Sequence, residues 1–169
     1  MSLTLYFHPL SSYCHKVLIA LNECGVEFER RIINLGNDAD RLELQLLWPM
    51  GKFPVLHDQL RKRDVAESSV IIEYLDHYYG GQQPLLPSDW SRALDVRFRD
   101  RFFDNYVHSP MQEIVADRLR GSHADLSAAR NTLTTAYGMI ERQIATSMRL
   151  SGRGGATIIS RPSSRRSVR

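Results

Sequence analysis

The chain opens on an alternating run, Leu3-Thr4-Leu5-Tyr6-Phe7, which predicts a strand. From residue 12 to 24 the period lengthens. Cys14, Val17, Leu18, Leu21 and Cys24 recur at the spacing of one helical face, and Gly25 follows as a helix-ending residue. Residues 27–33 return to a β-rich run. Two strands joined by a helix are expected to lie parallel. Asn34 to Asp40 reads as a turn-rich loop, and residues 41–48 as a short helix through Leu42, Leu44, Leu46 and Leu47, stopped at Trp48-Pro49. Residues 53–57 and 60–63 read as an antiparallel pair turning at His57-Asp58-Gln59. Residues 67–79 predict a helix with Val70, Ile71, Tyr74, Leu75 and Tyr78 inward.

The resulting order, β-α-β-α-β-β-α, is that of an α/β thioredoxin-like domain, expected over residues 1–80. Gly80-Gly81-Gln82-Gln83-Pro84 opens a linker, assigned to 81–90. An all-α region then runs over 91–147. Its first helical stretch lasts to about Leu119 and is broken at Pro110; a second, 124–147, carries Leu126, Ala129, Leu133, Ala136, Tyr137, Ile140 and Ile144 on one stripe. Trp48, Trp90 and the cluster Phe102, Phe103 and Tyr106 are expected in the core.

Composition changes this picture in one respect. The chain has 169 residues, 43% hydrophobic and 24% charged, as ordinary water-soluble domains do. Its formal charge is +3, but six of its 22 Lys and Arg residues and none of its 19 Asp and Glu residues lie from Met148 onward. The body is therefore net acidic, and the basic balance is no sign of specific nucleic-acid binding. The segment 148–169 is rich in Gly, Ser and Arg and is expected to be disordered. No apolar run reaches the ~18 residues of a membrane span, and the N-terminus lacks the layout of a signal peptide, so a cytoplasmic location is expected. Cys14 and Cys24 sit at opposite ends of one predicted helix, roughly 15 Å apart along its axis, too far for a disulfide. The six histidines make no metal-ligand pattern.

Three short motifs remain. Ser11-Ser12-Tyr13-Cys14 stands where the first strand meets the first helix. A hydroxyl beside a helix N-terminus stabilises anions, a thiolate among them, although the same serines also suit an ordinary N-cap. Ser11 fills the first position of the C-x-x-C of redox proteins. Serine cannot form a disulfide, so the chemistry implied is stabilisation of a bound ligand's thiolate. Cys14 lies on the apolar stripe and reads as a buried core residue. Gly51-Lys52-Phe53-Pro54-Val55-Leu56 puts a proline at the head of a strand, and Lys52 suits either a ligand carboxylate or open solvent. Glu67-Ser68-Ser69 opens a helix, where it suits capping or an α-carboxylate.

In their order and spacing these motifs resemble the glutathione-binding half of the glutathione transferases, and the similarity extends over about residues 3–146. The resemblance is to serine-type, theta- or zeta-like bacterial members. It implies glutathione as substrate, a small hydrophobic electrophile as second substrate, a homodimer, and no metal. Ser11 matches the catalytic serine, with Ser12 its neighbour. Pro54 matches a cis proline that lets Val55 pair with a peptide-like ligand. Ser68 would meet the α-carboxylate of the γ-glutamyl end, Glu67 its α-ammonium, and Lys52 a further carboxylate. A glutathione-dependent isomerase and a non-catalytic partner-binding protein of this fold are the alternatives. Retention of Ser11 and of Glu67-Ser68 favours an enzyme.

Beyond Thr146 the resemblance stops. The family's next helix opens with an S/T-x-x-D box, and no acidic residue follows Glu141. The expectation is an incomplete all-α domain, truncated or frameshifted after about residue 146, with activity impaired by the missing helices.

Overall fold

In the computed structural model, which describes residues 2–81 and 84–151, the alternating segment forms β1 (Leu3–Phe7). Leu3, Leu5 and Phe7 are buried on one face. Helix α1 (Ser12–Glu23) buries Cys14, Val17, Ala20 and Leu21. It ends at Cys24, whose N–H returns to the Ala20 carbonyl, and Gly25 then takes φ +65, a value that favours glycine. β2 (Glu29–Ile32) runs parallel to β1, with Thr4 opposite Glu29 and Phe7 opposite Ile32. α2 (Asp38–Leu47) leads to β3 (Val55–Asp58), antiparallel to β1. β4 (Arg63–Ala66) is antiparallel to β3, and α3 (Ser68–Tyr79) follows. The sheet order is β2-β1-β3-β4. α1 and α3 cover one face over a core of Leu3, Leu5, Phe7, Leu21, Leu56, Ile71 and Leu75. A smaller cluster on Ile33, Leu44 and Val55 lies under α2.

Local boundaries differ from the sequence reading where side chains cap or turn the backbone. α2 starts at Asp38, inside the expected loop, because the Asn37 carboxamide oxygen accepts from the N–H groups of Ala39 and Asp40 at 2.9 and 3.2 Å. Of its four leucines only Leu44 is fully buried, and Leu42 and Leu46 face solvent. The hairpin turns later than expected. Asp58 still belongs to β3, the Asp58 carboxylate accepts the Arg61 N–H at 3.0 Å, and Lys62 takes φ +50, so the second strand is 63–66 rather than 60–63. On α3 the buried stripe is Ser68, Ile71, Tyr74 and Leu75. Val70 and Tyr78 lie outside it and are exposed.

Asp58 is fully buried and is a hub. Its carboxylate accepts from the hydroxyls of Tyr74 and Tyr79 at 2.8 and 2.6 Å, and the Arg61 guanidinium lies 3.4 Å away. Arg61 also covers the Tyr78 and Tyr79 rings, at 4.5 and 4.9 Å from their centroids. The tip of the hairpin is thereby tied to the C-terminal end of α3. Burial opposes the charge on Asp58, but the hydrogen bonds outweigh it and hold the carboxyl below its usual range.

Leu85 and Leu86 donate their N–H groups to the Asp76 carboxylate, at 2.6 and 3.0 Å. α4 (Trp90–Phe102) then docks on α3 through a two-pronged Arg97–Glu73 pair, 2.8 and 2.9 Å. By contacts the chain divides after Phe102, so α4 belongs with the sheet.

The second unit contains a π-helical segment (Phe103–His108), α5 (Ser109–Arg120) and α6 (Ser127–Ser151). Pro110 lies in the first turn of α5, where its missing N–H costs nothing. Gly121 ends that helix at φ +62. The aromatic residues expected in the core divide. Trp48 and Phe102 are half-buried, whereas Trp90 is 70% exposed and Phe103 and Tyr106 are about half exposed (46% and 51%). In α6, Ala129 and Ala136 are buried but Tyr137 and Ile144 are exposed. α6 runs four residues past its expected end, so residues 148–151 are helical. The expectation for the rest of the 148–169 segment lies outside the described residues.

Candidate functional site

The strand registers bring the three motifs to one end of the sheet. β1 ends at Phe7 beside Ile32, and β3, antiparallel to it, begins with Val55 opposite Tyr6. β4 returns and ends with Ala66 opposite Val55. The loop after β1, the turn before β3 and the junction between β4 and α3 therefore all emerge at the same end. The N-termini of α1 and α3 open there side by side, each a locus of partial positive charge.

At α1 the cap is Ser11, itself buried. The Ser11 oxygen accepts the Cys14 N–H at 3.4 Å, and its carbonyl accepts the His15 N–H at 3.1 Å. The approach to this cap is stiffened locally. The Ser11 N–H returns to the His8 carbonyl at 3.0 Å, the Leu10 N–H donates to His8 Nδ1, and the His15 ring nitrogen lies 2.7 Å from the Pro9 carbonyl. Ser12 is the first residue of α1 and is half-buried. Cys14 is fully buried, and burial pushes its thiol pKa up, although hydrogen bonding from Ser11 and His8 pulls the other way. Tyr6 lies within β1 against the Ile33–Leu44 cluster, and burial raises its hydroxyl pKa, chiefly by desolvation.

The Phe53–Pro54 bond is cis, as the resemblance implies, and Val55 is fully buried behind it. The Phe53 ring stacks on His8 at 5.8 Å, joining this turn to the loop after β1. Lys52 is exposed at the same turn. Glu67 is exposed and adopts φ +68 and ψ 116, a conformation that residues with a Cβ occupy at a cost of about 1–3 kcal/mol. It makes no side-chain cap bond to α3, so the N-terminus of α3 has no carboxylate or hydroxyl closing it from that position. Ser68, the first residue of α3, is buried at this opening.

Chemically the site has two anion-favouring helix starts. One presents the hydroxyl of Ser11; the other offers backbone N–H groups with Ser68 beside an exposed acid, Glu67. That suits an elongated ligand with an ionisable acidic group at each start. Among the described residues no group of His, Cys, Asp and Glu has the arrangement to hold a metal ion, and no helix is long and apolar enough to cross a membrane.

The sequence reading found these residues but missed two next to them. Lys16 on α1 and Asp100 on α4 form an ion pair of 2.6 Å beside Ser69. The only signal was a single lysine near the start of an apolar-striped helix. Its partner sits in a charged run 84 positions later, and no local pattern links the two.

Comparison with known proteins bears on the same half of the chain. The family described as glutathione S-transferase, N-terminal domain, matches residues 5–83. Glutathione S-transferase U22 of Arabidopsis thaliana is 37% identical over 111 residues, covering 65% of this chain and 49% of that protein. The probable glutathione S-transferase GSTU1 of Oryza sativa subsp. japonica is 30% identical over 159 residues, 92% of this chain and 66% of that protein. A solved glutathione S-transferase of Methylobacterium radiotolerans, in complex with glutathione sulfonate, superposes with a TM-score of 0.70 at 26% identity. It covers 83% of this chain and 66% of that one. The chain spans about half the length of the first curated relatives it matches.

Proposed function

The chain belongs to the glutathione S-transferase family, and from that premise we propose that it binds glutathione and activates its thiol for transfer to small hydrophobic electrophiles. The observation that carries this reading is the convergence of Ser11, Val55 and Ser68 on one end of the sheet, with two helix N-termini opening beside them. Glutathione is a peptide with a zwitterionic γ-glutamyl end, a central thiol and a second carboxylate. The N-terminus of α3 with Ser68 takes the γ-glutamyl carboxylate, since the N–H groups of a helix start that Glu67 does not cap, together with the helix dipole, favour an anion. Glu67 faces the α-ammonium. Val55 pairs with the central peptide in antiparallel fashion, and Lys52 attracts the second carboxylate.

The thiol then lies toward α1. The Ser11 oxygen already accepts the Cys14 N–H, and its hydroxyl proton, which in the free protein bears on the Cys14 thiol, turns to the ligand sulfur in the complex. A donor to the charged form lowers the thiol pKa, and the start of α1 at Ser12 adds to the effect. The thiolate sulfur attacks the electrophilic carbon, and a new C–S bond forms as the leaving group departs with its electron pair or the electrophile's π-bond accepts the electrons. A serine-type enzyme, acting as a cytoplasmic homodimer, is the form of the family this chemistry matches.

The test is calorimetry with glutathione. Glu67→Ala and Ser68→Ala each weaken binding at least tenfold, about 1.4 kcal/mol. Unchanged affinity in both variants would sink the site assignment. A conjugation assay run beside an isomerisation assay separates transfer from glutathione-dependent isomerisation, and binding without either activity marks a non-catalytic module.

A further inference from the structure

The loop between β1 and α1 is held by two histidines that use opposite chemistry. The Leu10 N–H donates to His8 Nδ1 at 3.2 Å. An amide N–H cannot accept, so Nδ1 is bare and the ring proton sits on Nε2. The His15 Nε2 lies 2.7 Å from the Pro9 carbonyl, which can only accept, so this ring donates. Protonation leaves the His15 bond intact, because a charged imidazole donates from both nitrogens. It abolishes the His8 bond, because Nδ1 then carries a hydrogen that faces the Leu10 N–H. Histidine is the side chain suited to such a change between pH 5 and 8.

His8 also joins two arms of the site. Its carbonyl accepts the Ser11 N–H at 3.0 Å, and its ring stacks on Phe53 at 5.8 Å, with 19° between the planes. Phe53 makes the cis bond to Pro54 ahead of Val55. Pro9 and Leu10 are themselves exposed, Leu10 by 84%, so packing adds little to these bonds. The titratable groups on the elements around His8 are Tyr6 on β1, Lys52 beside Phe53, and Tyr13, Cys14 and His15 on α1. Burial raises the pKa of Tyr6 and Cys14, so both keep their protons at neutral pH. Among the described residues no carboxylate bonds the His8 ring.

We propose that His8 is a positioning residue of the site, its neutral ring holding the loop that presents Ser11 against the turn that presents Val55. A ligand then meets both arms already in place, and binding does not have to order them. When His8 takes a proton, the loop loses that anchor and the site loses part of its affinity. Stacking on Phe53 survives the charge, so the loop loosens without detaching. This rests on the glutathione reading of the site.

The test uses the full chain with two variants. His8→Asn keeps an acceptor for the N–H two residues on and does not titrate; His8→Phe keeps the stack and has no acceptor. The probe is S-methylglutathione, whose sulfur has no proton to lose. Its affinity is read by calorimetry in steps from about pH 8 to about pH 5.5, across the histidine range. Nitrogen NMR follows the His8 ring and the Leu10 amide over the same range without ligand. In the parent, affinity is expected to fall about fivefold, with the midpoint of the His8 ring titration and of the Leu10 amide shift. His8→Asn binds within about twofold of the parent's high-pH value throughout, and His8→Phe binds about fivefold more weakly throughout. A parent affinity that does not change with pH overturns the proposal. So does a pH dependence that survives in His8→Asn, because another group would then carry it. Full affinity of His8→Phe at the higher pH, or a His8 proton found on Nδ1 there, overturns it too. If the parent binds neither S-methylglutathione nor glutathione, the functional reading falls and the Leu10 amide decides the anchor. A shift that follows the His8 ring and disappears in His8→Asn supports it, and no shift overturns it.

Discussion

Ser11 and Asp58 show how much one residue's environment decides. Ser11 caps α1 and is buried at the end of the sheet where the motifs converge, so its hydroxyl serves the fold and, in the function proposed above, the ligand as well. Ser11→Ala is expected to raise the pH midpoint of thiolate formation by bound glutathione, followed by ultraviolet absorbance. Conjugation rate should fall more than affinity, and the lost cap costs about 1 kcal/mol of stability. If Ser12→Ala moves the midpoint and Ser11→Ala does not, their roles are exchanged. At the opposite end of the sheet, Asp58 accepts from two tyrosine hydroxyls, the Arg61 N–H and the Arg61 guanidinium with no solvent contact. Asp58→Ala leaves two tyrosine hydroxyls and an N–H without their acceptor and should cost about 2–4 kcal/mol in urea unfolding. Because the folded carboxyl pKa is depressed, this stabilisation is complete above the unfolded carboxylate pKa of about 4. It is lost as pH falls through the folded value, so the gap between Asp58→Ala and the parent should close in acid. Ser11 was legible because a serine between a strand and a helix is a local pattern. Asp58 was read as a turn residue, since its tyrosine partners lie 16 and 21 positions away.

At the scale of elements, the order of strands and helices was legible, and boundaries went astray where a side chain intervened. Asn37 closes the N-terminus of α2 with two hydrogen bonds, and Asp38 and Asp40 complement the dipole in its first turn. Asn37→Ala should destabilise the protein by about 1 kcal/mol, measured as a lower denaturation midpoint with an unchanged urea slope. The loss should be smaller for Asn37→Asp, which retains an acceptor. The three-residue delay of the second hairpin strand has the same kind of origin. His57-Asp58-Gln59 has turn-forming composition, but burial of Asp58 against α3 keeps it in β3 and moves the turn to the residues that follow. α3 shows how far periodicity carries. Ile71, Tyr74 and Leu75 are buried as the spacing predicts, whereas Tyr78 turns outward to stack under Arg61.

For the whole molecule, every residue assigned to the glutathione site lies in the unit that ends at Phe102, while five of the six C-terminal arginines lie beyond Ser151. Removing residues 152–169 should therefore leave glutathione affinity within about twofold and convert the net charge from basic to acidic. Attraction to DNA should fall steeply with salt, show no sequence preference and vanish with those residues. A large drop in melting temperature on deletion would instead assign them a part in the fold. By itself the sequence determined the type and order of the elements of the first half, the Ser11 cap, the proline-headed strand and the Glu67-Ser68 helix start. Each depends on residues within a few positions of one another, where sterics, periodicity and capping act directly. Only the tertiary structure decided that these pieces converge at one end of the sheet, that Asp58 is a buried hub, that Lys16 meets Asp100, and that Trp90 and Tyr106 are exposed. Those outcomes depend on strand register and helix docking, which join distant residues through burial summed over many contacts, and no short stretch of chain carries that sum.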